Sequence, residues 1–270
     1  METNHLTPHP EFQALLSSIQ SLETELSELV YERDKLLYHT CPKIQIEYML
    51  KIGKIEYTIF EYQCNILRLK RKIEIIQAAL NREQPYDINE IDKQLDVEYK
   101  EYTKKLLEKQ KEIDRARLKK DSFKKVLTEE ESLELKKLYT QIVKKLHPDI
   151  NHDTTEEQHK QFNDTVNAYK RSDLSEIRII YLLLEKTSAK EAETENSMDK
   201  LKSKKEMLLD EKNYLLSSIQ QIKDTFPYCV LDLLQNNEKL QKKIDELSLL
   251  LTENREQYEN IENRLKIMIK

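Results

Sequence analysis

The chain has 270 residues, of which 35% are charged and 38% are hydrophobic, and its formal net charge is −5. This acidic balance argues against a general nucleic-acid-binding protein, because neutralising phosphates requires a basic excess. A single glycine and six prolines leave few turns for a sheet protein. Abundant leucine, isoleucine, lysine and glutamate are instead typical of long helices and coiled coils. We therefore predict an all-α protein.

The sequence contains no pattern that indicates a membrane or an oxidising compartment. No apolar run approaches the roughly 18 residues that a membrane span requires, and residues 1–5 lack the features of a signal peptide. The three cysteines, Cys41, Cys64 and Cys229, are widely spaced and form no Cys-x-x-Cys pair. We expect a cytoplasmic protein with reduced thiols and no membrane contact.

The N-terminal part of the chain carries apolar residues at alternating steps of four and three, the pattern of a coiled-coil seam. The first seam covers residues 15–36, and its helix is predicted to end near His39. Because proline interrupts helices, Pro42 is predicted to start a second helix, whose seam covers residues 52–80.

A third long helix is predicted to follow a short break in this pattern. Asp87 and Glu90 have the spacing of a capping box, and apolar residues recur from there to about residue 120. Since a short loop between long helices implies an antiparallel pair, we predict a coiled-coil bundle over residues 1–127.

Two shorter helices are predicted in the middle of the chain. Thr128 with Glu131 can cap a helix that ends at Leu146, and Thr155 with Gln158 can cap the next one. The short loop between them implies that these two helices are antiparallel and share a small core.

The C-terminal part resumes the heptad pattern after a polar, acidic stretch. Residues 186–200 have little to bury and are predicted to be a linker or an exposed helix. Residues 201–270 carry two further seams and are predicted to form a coiled-coil hairpin. The seams could pair within one chain or between chains, so a homodimer is possible.

The loop between the two middle helices is the place where the sequence specifies chemistry. Pro148 forces His147 out of the α region, so that His147 and Asp149 project from a turn. They could be a catalytic pair, a metal site together with His152 and His159, a recognition loop, or a plain connection. The chain has no nucleophile motif and no glycine-rich phosphate loop, and a five-residue spacing across a loop suits a metal poorly. We predict no catalytic residue, cofactor or metal.

This part of the chain resembles a known family. The stretch from Leu135 to Asn151 looks like the second helix and signature loop of the J-domain, the module of the DnaJ family, and the stretch from Phe162 to Tyr169 looks like its third helix. Three features agree with this family in order and spacing. They are a tyrosine eight residues before His147, an asparagine two residues after the aspartate, and a Phe-x-x-x-x-Asn-Ala-Tyr pattern. The resemblance covers about residues 128–185.

The resemblance implies a partner and a set of contacts. In this family the loop and the basic outer face of the second helix bind a DnaK-type chaperone and stimulate its ATP hydrolysis. The contacts that the resemblance implies here are His147, Pro148, Asp149, Lys136, Lys137, Lys144 and Lys145.

The helical pattern also predicts where the basic residues lie. Lys136, Lys137 and Lys144 are expected on the outer surface of their helix, and Lys145 partly beside the core. The family's first-helix signature does not precede Thr128, so either the end of the third long helix takes its place or the module is incomplete.

The sequence thus predicts long coiled-coil helical hairpins that flank a small J-domain-like helical hairpin. The predicted function is that of a non-enzymatic co-chaperone whose coiled-coil arms supply oligomerisation or target binding. The alternative is a structural coiled-coil scaffold whose J-like module no longer couples to a chaperone.

Overall fold

The computed structural model describes residues 10–122, 127–151, 154–188 and 198–269, of which 120–122 and 186–188 are described as backbone only. These residues contain helices and turns and no strand, so the predicted all-α class is confirmed. The α-helices are α1 (Pro10–Lys35), α2 (Cys41–Tyr48), α3 (Lys54–Asn81), α4 (Ile88–Glu98), α5 (Lys100–Ser122), α6 (Glu129–Leu146), α7 (Glu156–Lys170), α8 (Leu174–Ser188), α9 (Met198–Asp224), α10 (Leu231–Gln235) and α11 (Asn237–Ile269).

Within the described ranges, no helix is both long enough and apolar enough to cross a membrane. Most of the predicted linker, residues 189–197, lies outside the described residues, whereas 186–188 end α8 and 198–200 begin α9.

The chain packs into two compact units, each built from segments far apart in sequence. Unit 1 combines Met1–Pro42 with Lys125–Cys229, and unit 2 combines Lys43–Lys124 with Val230–Lys270. This grouping differs from the predicted division into 1–127, 128–185, 186–200 and 201–270. The difference arises because the N-terminal and C-terminal helices pack against each other, and sequence order does not reveal such long-range pairing.

In unit 1, α1 packs against both α9 and α6. Ion pairs join Glu23 to Lys204 and Glu32 to Lys223 at 2.8 and 2.7 Å. The residue numbers of the paired side chains increase together along α1 and α9, so the two helices are parallel. One apolar core joins α1, α6, α7, α8 and α9, and its fully buried members include Leu26, Val30, Tyr139, Ile142, Ile177, Leu208 and Leu215.

In unit 2, α3 packs against α4, α5 and α11, and one apolar core joins α3, α4 and α11. Ion pairs from Lys72 to Asp92 and from Arg68 to Asp96 run in opposite sequence directions, so α3 is antiparallel to α4. Of residues 201–270, which were predicted to form a hairpin, α9 packs along α1 within unit 1 and α11 packs along α3 within unit 2.

The first helix does not end near His39, and this prediction was wrong. A π-helical turn, Leu36–Thr40, leads directly into α2, and the N–H of Cys41 donates to the carbonyl of Leu36 five residues earlier. Pro42 is accommodated immediately after this turn. In a regular α-helix its ring would collide with the carbonyl of Tyr38, and the wider π turn displaces that carbonyl.

Candidate functional site

The candidate site is the loop between α6 and α7, whose backbone is held by several hydrogen bonds. His147 has φ −65° and ψ 126°, the extended conformation expected before a proline. The N–H groups of Ile150 and Asn151 both donate to the carbonyl of His147, at 3.0 and 2.9 Å. The loop is therefore a compact turn.

Asn151 closes the C-terminal end of α6. Its side-chain amide donates to the carbonyl of Lys144 at 2.7 Å, which satisfies one of the carbonyls left without a partner where a helix ends. The motif spacing alone does not predict this capping role of Asn151, which appears only in the structure. The next helix begins with the predicted capping box, in which Thr155 and Gln158 exchange hydrogen bonds.

His147 is buried. Only 4% of the residue is exposed, and its ring contacts that of Phe162 edge-on, with centroids 4.9 Å apart. Its Nδ1 atom accepts a hydrogen bond from the N–H of Asp149 at 3.2 Å, an arrangement that requires an unprotonated Nδ1. Burial lowers the pKa of His147 and outweighs the opposing effect of the nearby Asp149 carboxylate. His147 thus acts as a neutral packing residue of the loop.

Pro148 and Asp149 are more accessible than His147. Pro148 is half-buried, and the Asp149 side chain is 44% exposed. The carboxyl of Glu211, from α9, lies beside Asp149. Burial first, and the Asp149 carboxylate second, raise the pKa of Glu211. One Glu211 carboxyl oxygen, Oε1, is buried without a hydrogen-bond partner. Asp149 therefore lies next to Glu211 of α9 and is also accessible to solvent.

The four lysines of α6 were predicted to form one basic outer face. In the structure, two of them have a partner on α1. Lys136 forms an ion pair with Glu28 of α1 at 2.7 Å, and its Nζ lies 5.3 Å from the centre of the Tyr31 ring. Lys144 donates to Thr24 Oγ1 of α1 at 2.7 Å. Both lysines remain partly exposed, with 40% of the Lys136 side chain accessible, so they lie at the surface while being paired with α1.

The other two lysines are accessible to solvent. Lys137 is exposed as predicted, and Lys145, which was expected partly beside the core, is exposed as well. Lys137 and Lys145 are therefore the most exposed lysines of α6, whereas Lys136 and Lys144 are partly exposed and paired with α1.

The long helix that packs on α6 is α1. Four apolar residues of α1, among them Leu26 and Val30, share a core with Tyr139 and Ile142 of α6. The sequence had suggested either the end of the third long helix, now α5, or an incomplete module. The helix that packs on α6 instead comes from more than 100 residues earlier in the chain.

A buried polar contact between α1 and α6 was missed by the sequence analysis. The hydroxyl of Tyr139 donates to Asp34 Oδ2 at 2.5 Å, and Asp34 is 1% exposed. Arg33 also pairs with Asp34, at 2.9 Å. Tyr139 stacks on Tyr169 of α7 with ring centroids 4.2 Å apart, and burial raises the pKa of Tyr139. The one signal in the sequence is Arg33, a charged residue at a position of the first seam, residues 15–36, where the pattern calls for an apolar one.

Among the described residues, the histidines of the possible metal site do not form a cluster. His159 is exposed on α7, where its Nε2 lies 3.0 Å from Thr154 Oγ1, and His152 lies outside the described residues. Among the described residues, no group of three His, Cys, Asp or Glu side chains could hold a metal ion.

Comparison with protein-family models, with curated proteins and with solved structures finds no match for this chain.

Proposed function

We propose that the chain is a J-domain-type co-chaperone of the cytoplasm, which binds a DnaK-type chaperone through the loop of His147, Pro148 and Asp149 and stimulates ATP hydrolysis by that chaperone. The observation that carries the proposal is the hydrogen-bonded turn that presents Pro148 and Asp149 between two antiparallel helices. The antiparallel arrangement follows from two contacts, His147 with Phe162 and Tyr139 with Tyr169. Order, spacing and local geometry thus agree with the resemblance.

The physical properties of the loop suit recognition of a protein surface. A loop fixed by a proline and by hydrogen bonds loses little conformational entropy when it binds. The half-exposed carboxylate of Asp149 can accept a bidentate hydrogen bond from an arginine of the partner. The exposed Lys137 and Lys145 can steer an acidic surface toward the loop.

The experiment that tests this function is single-turnover ATP hydrolysis by DnaK with increasing amounts of the chain. The wild-type chain is expected to accelerate hydrolysis, and Asp149→Asn to lower the stimulation about tenfold or more, since it removes a charge-assisted contact. Asp164→Asn is the matched control, because Asp164 is an exposed aspartate of α7 outside the loop. Absence of stimulation by the wild-type chain would exclude the proposal.

A second candidate function is supported by a different observation. His147 is buried, and Lys136 and Lys144 contact α1, as expected if the J-like helices serve only as a packing element of a helical scaffold. This alternative predicts that neither the wild-type chain nor Asp149→Asn stimulates ATP hydrolysis by DnaK. The same hydrolysis experiment distinguishes the two functions.

A further inference from the structure

The solvent-facing side of α5 carries a row of basic and leucine side chains. Its members follow one another at helical steps of three or four residues, so they lie on one face of the helix. All of them are exposed, Leu107 to 55% and Leu118 to 75%. The row, named here the α5 stripe, consists of Lys104, Leu107, Lys111, Arg115 and Leu118. The opposite face supplies the buried residues of α5, Ile113 and Ala116.

The three cations of the α5 stripe form no ion pair with any carboxylate of the described part of the chain. Two acids of α5 flank the stripe. Asp114 is engaged elsewhere, since it accepts a hydrogen bond from Gln110 at 3.0 Å and pairs with Arg117 at 3.6 Å. Glu108, which is exposed, has no ion pair with the stripe either. The positive charges of the stripe therefore face solvent without a carboxylate that neutralises them.

The outward side of α11, in the same unit, has a different charge pattern. Its exposed residues include one lysine, Lys242, and two acids, Asp245 and Glu256, together with Leu249. Charges of both signs are typical of a helix face that contacts only solvent. The single sign of charge in the α5 stripe is thus a local feature, in a chain whose net charge is −5.

The chemistry of the α5 stripe indicates the kind of partner that fits it. Its positive charges are complementary to an acidic surface. Leu107 and Leu118 would have no apolar contact on the phosphate backbone of a nucleic acid. The two leucines are also separated by Lys111, so they do not form the wide apolar face with which a helix enters a membrane surface. A protein segment that carries both carboxylates and apolar side chains matches the whole stripe.

We propose that the α5 stripe is a docking surface for an acidic amphipathic helix of a partner protein. The carboxylates of that helix pair with the three cations, and its apolar side chains cover Leu107 and Leu118. Two helices that pack side by side present side chains to each other at such steps of three and four. This inference does not depend on the co-chaperone function, because α5 belongs to unit 2 and the loop between α6 and α7 belongs to unit 1.

The probe for this surface is a fluorescent synthetic helix. It carries leucines at the spacing of Leu107 and Leu118, and glutamates on the same face at the spacing of the three cations. A second peptide with glutamines in place of the glutamates is its control. Fluorescence anisotropy measures the binding of each peptide to the full chain. Vesicles that contain phosphatidylserine and a double-stranded DNA represent the other two classes of partner.

Two matched pairs of substitutions locate the binding on α5. Lys111→Glu reverses one charge of the stripe, and Lys242→Glu makes the same change at an exposed lysine of α11. Leu118→Ser removes an apolar side chain of the stripe, and Leu249→Ser does so at a leucine of α11 that is 64% exposed. Since all four positions are exposed, the fold is expected to be retained in each variant.

We expect the glutamate peptide to bind more tightly than the glutamine peptide. Its dissociation constant should rise about fivefold in Lys111→Glu and in Leu118→Ser, and should not change in the two α11 variants. Equal affinities for the two peptides would overturn the proposal, as would equal losses in the α5 and α11 variants. Tighter binding of vesicles or DNA than of the glutamate peptide, lost in Lys111→Glu, would assign the stripe to that partner and overturn it as well.

Discussion

His147 is a motif residue whose environment is that of a core residue. Its ring packs on Phe162, accepts a hydrogen bond from the backbone of Asp149, and has a lowered pKa because burial disfavours the charged form. In the unfolded chain the same histidine is free to take up a proton at its ordinary pKa near 6.5. At low pH, protonation of His147 in the unfolded chain therefore lowers the free energy of unfolding.

The free energy of unfolding is expected to fall as the pH drops below about 6.5, by up to about 1.4 kcal/mol per pH unit from His147 alone. The sign follows because the unfolded chain binds a proton that the folded chain resists. Urea denaturation between pH 7 and pH 5 measures this effect. In His147→Gln the pH dependence should be smaller than in wild type, whereas His159→Gln, at an exposed histidine, should retain it. Identical pH dependence in all three proteins would contradict the burial of a neutral His147.

Some residue-scale features could be predicted from local sequence and others could not. The extended conformation of His147 and the capping box of Thr155 and Gln158 follow from neighbouring residues alone. The partners of Lys136 and Lys144 could not be predicted, since they lie more than 100 residues away on α1. Helical periodicity shows which side of a helix is apolar, but a second helix can also cover a polar side.

At the scale of elements, α1 buries two stripes of residues. The seam that includes Leu22 and Leu26 is apolar and was identified from the sequence. A second buried stripe contains Ser27, Val30 and Asp34 at steps of three and four. Because two of its three members are polar, this stripe cannot be recognised from the pattern of apolar residues. The sequence therefore did not show that α1 is buried on two sides. A helix with two buried stripes is expected between two partners, here α9 and α6.

The helix α9 provides a matched pair of substitutions on adjacent leucines. Leu208 is 0% exposed and belongs to the core of unit 1, whereas Leu209 is 39% exposed. Leu208→Ala is expected to lower the free energy of unfolding by about 2–5 kcal/mol, because it leaves a cavity. Leu209→Ala should lower it by less than about 1 kcal/mol. Urea denaturation compares the two, and equal losses would contradict the packing of α9 on α1.

At the scale of the whole molecule, the heptad seams indicated long helices but not their partners. The seam residues of α1 and α9 would suit many other apolar seams equally well, because apolar contact is not directional. The parallel pairing is marked by charges such as Glu23 with Lys204 and Glu32 with Lys223, which only the structure brings together. For this reason the all-α class could be predicted from the sequence, whereas the two discontinuous units could not.

Because the seams of α1 and α3 are occupied by α9 and α11 of the same chain, we expect a monomer. Light scattering coupled to size exclusion should give a mass of about 32.4 kDa that does not change with concentration. A mass of twice this value would indicate that the seams also pair between chains and would contradict this expectation.

Equilibrium binding is the most direct test of whether the loop of His147, Pro148 and Asp149 binds a DnaK-type chaperone. Cys229 is exposed while Cys41 and Cys64 are buried, so a thiol-reactive fluorophore can be attached at Cys229 of the folded chain. Fluorescence anisotropy is then measured as ATP-loaded DnaK is added. We expect saturable binding by the wild-type chain and by Asp164→Asn, and binding weakened about tenfold or more in Asp149→Asn. Equal affinities of the wild-type and Asp149→Asn chains, or no binding by either, would contradict binding through this loop.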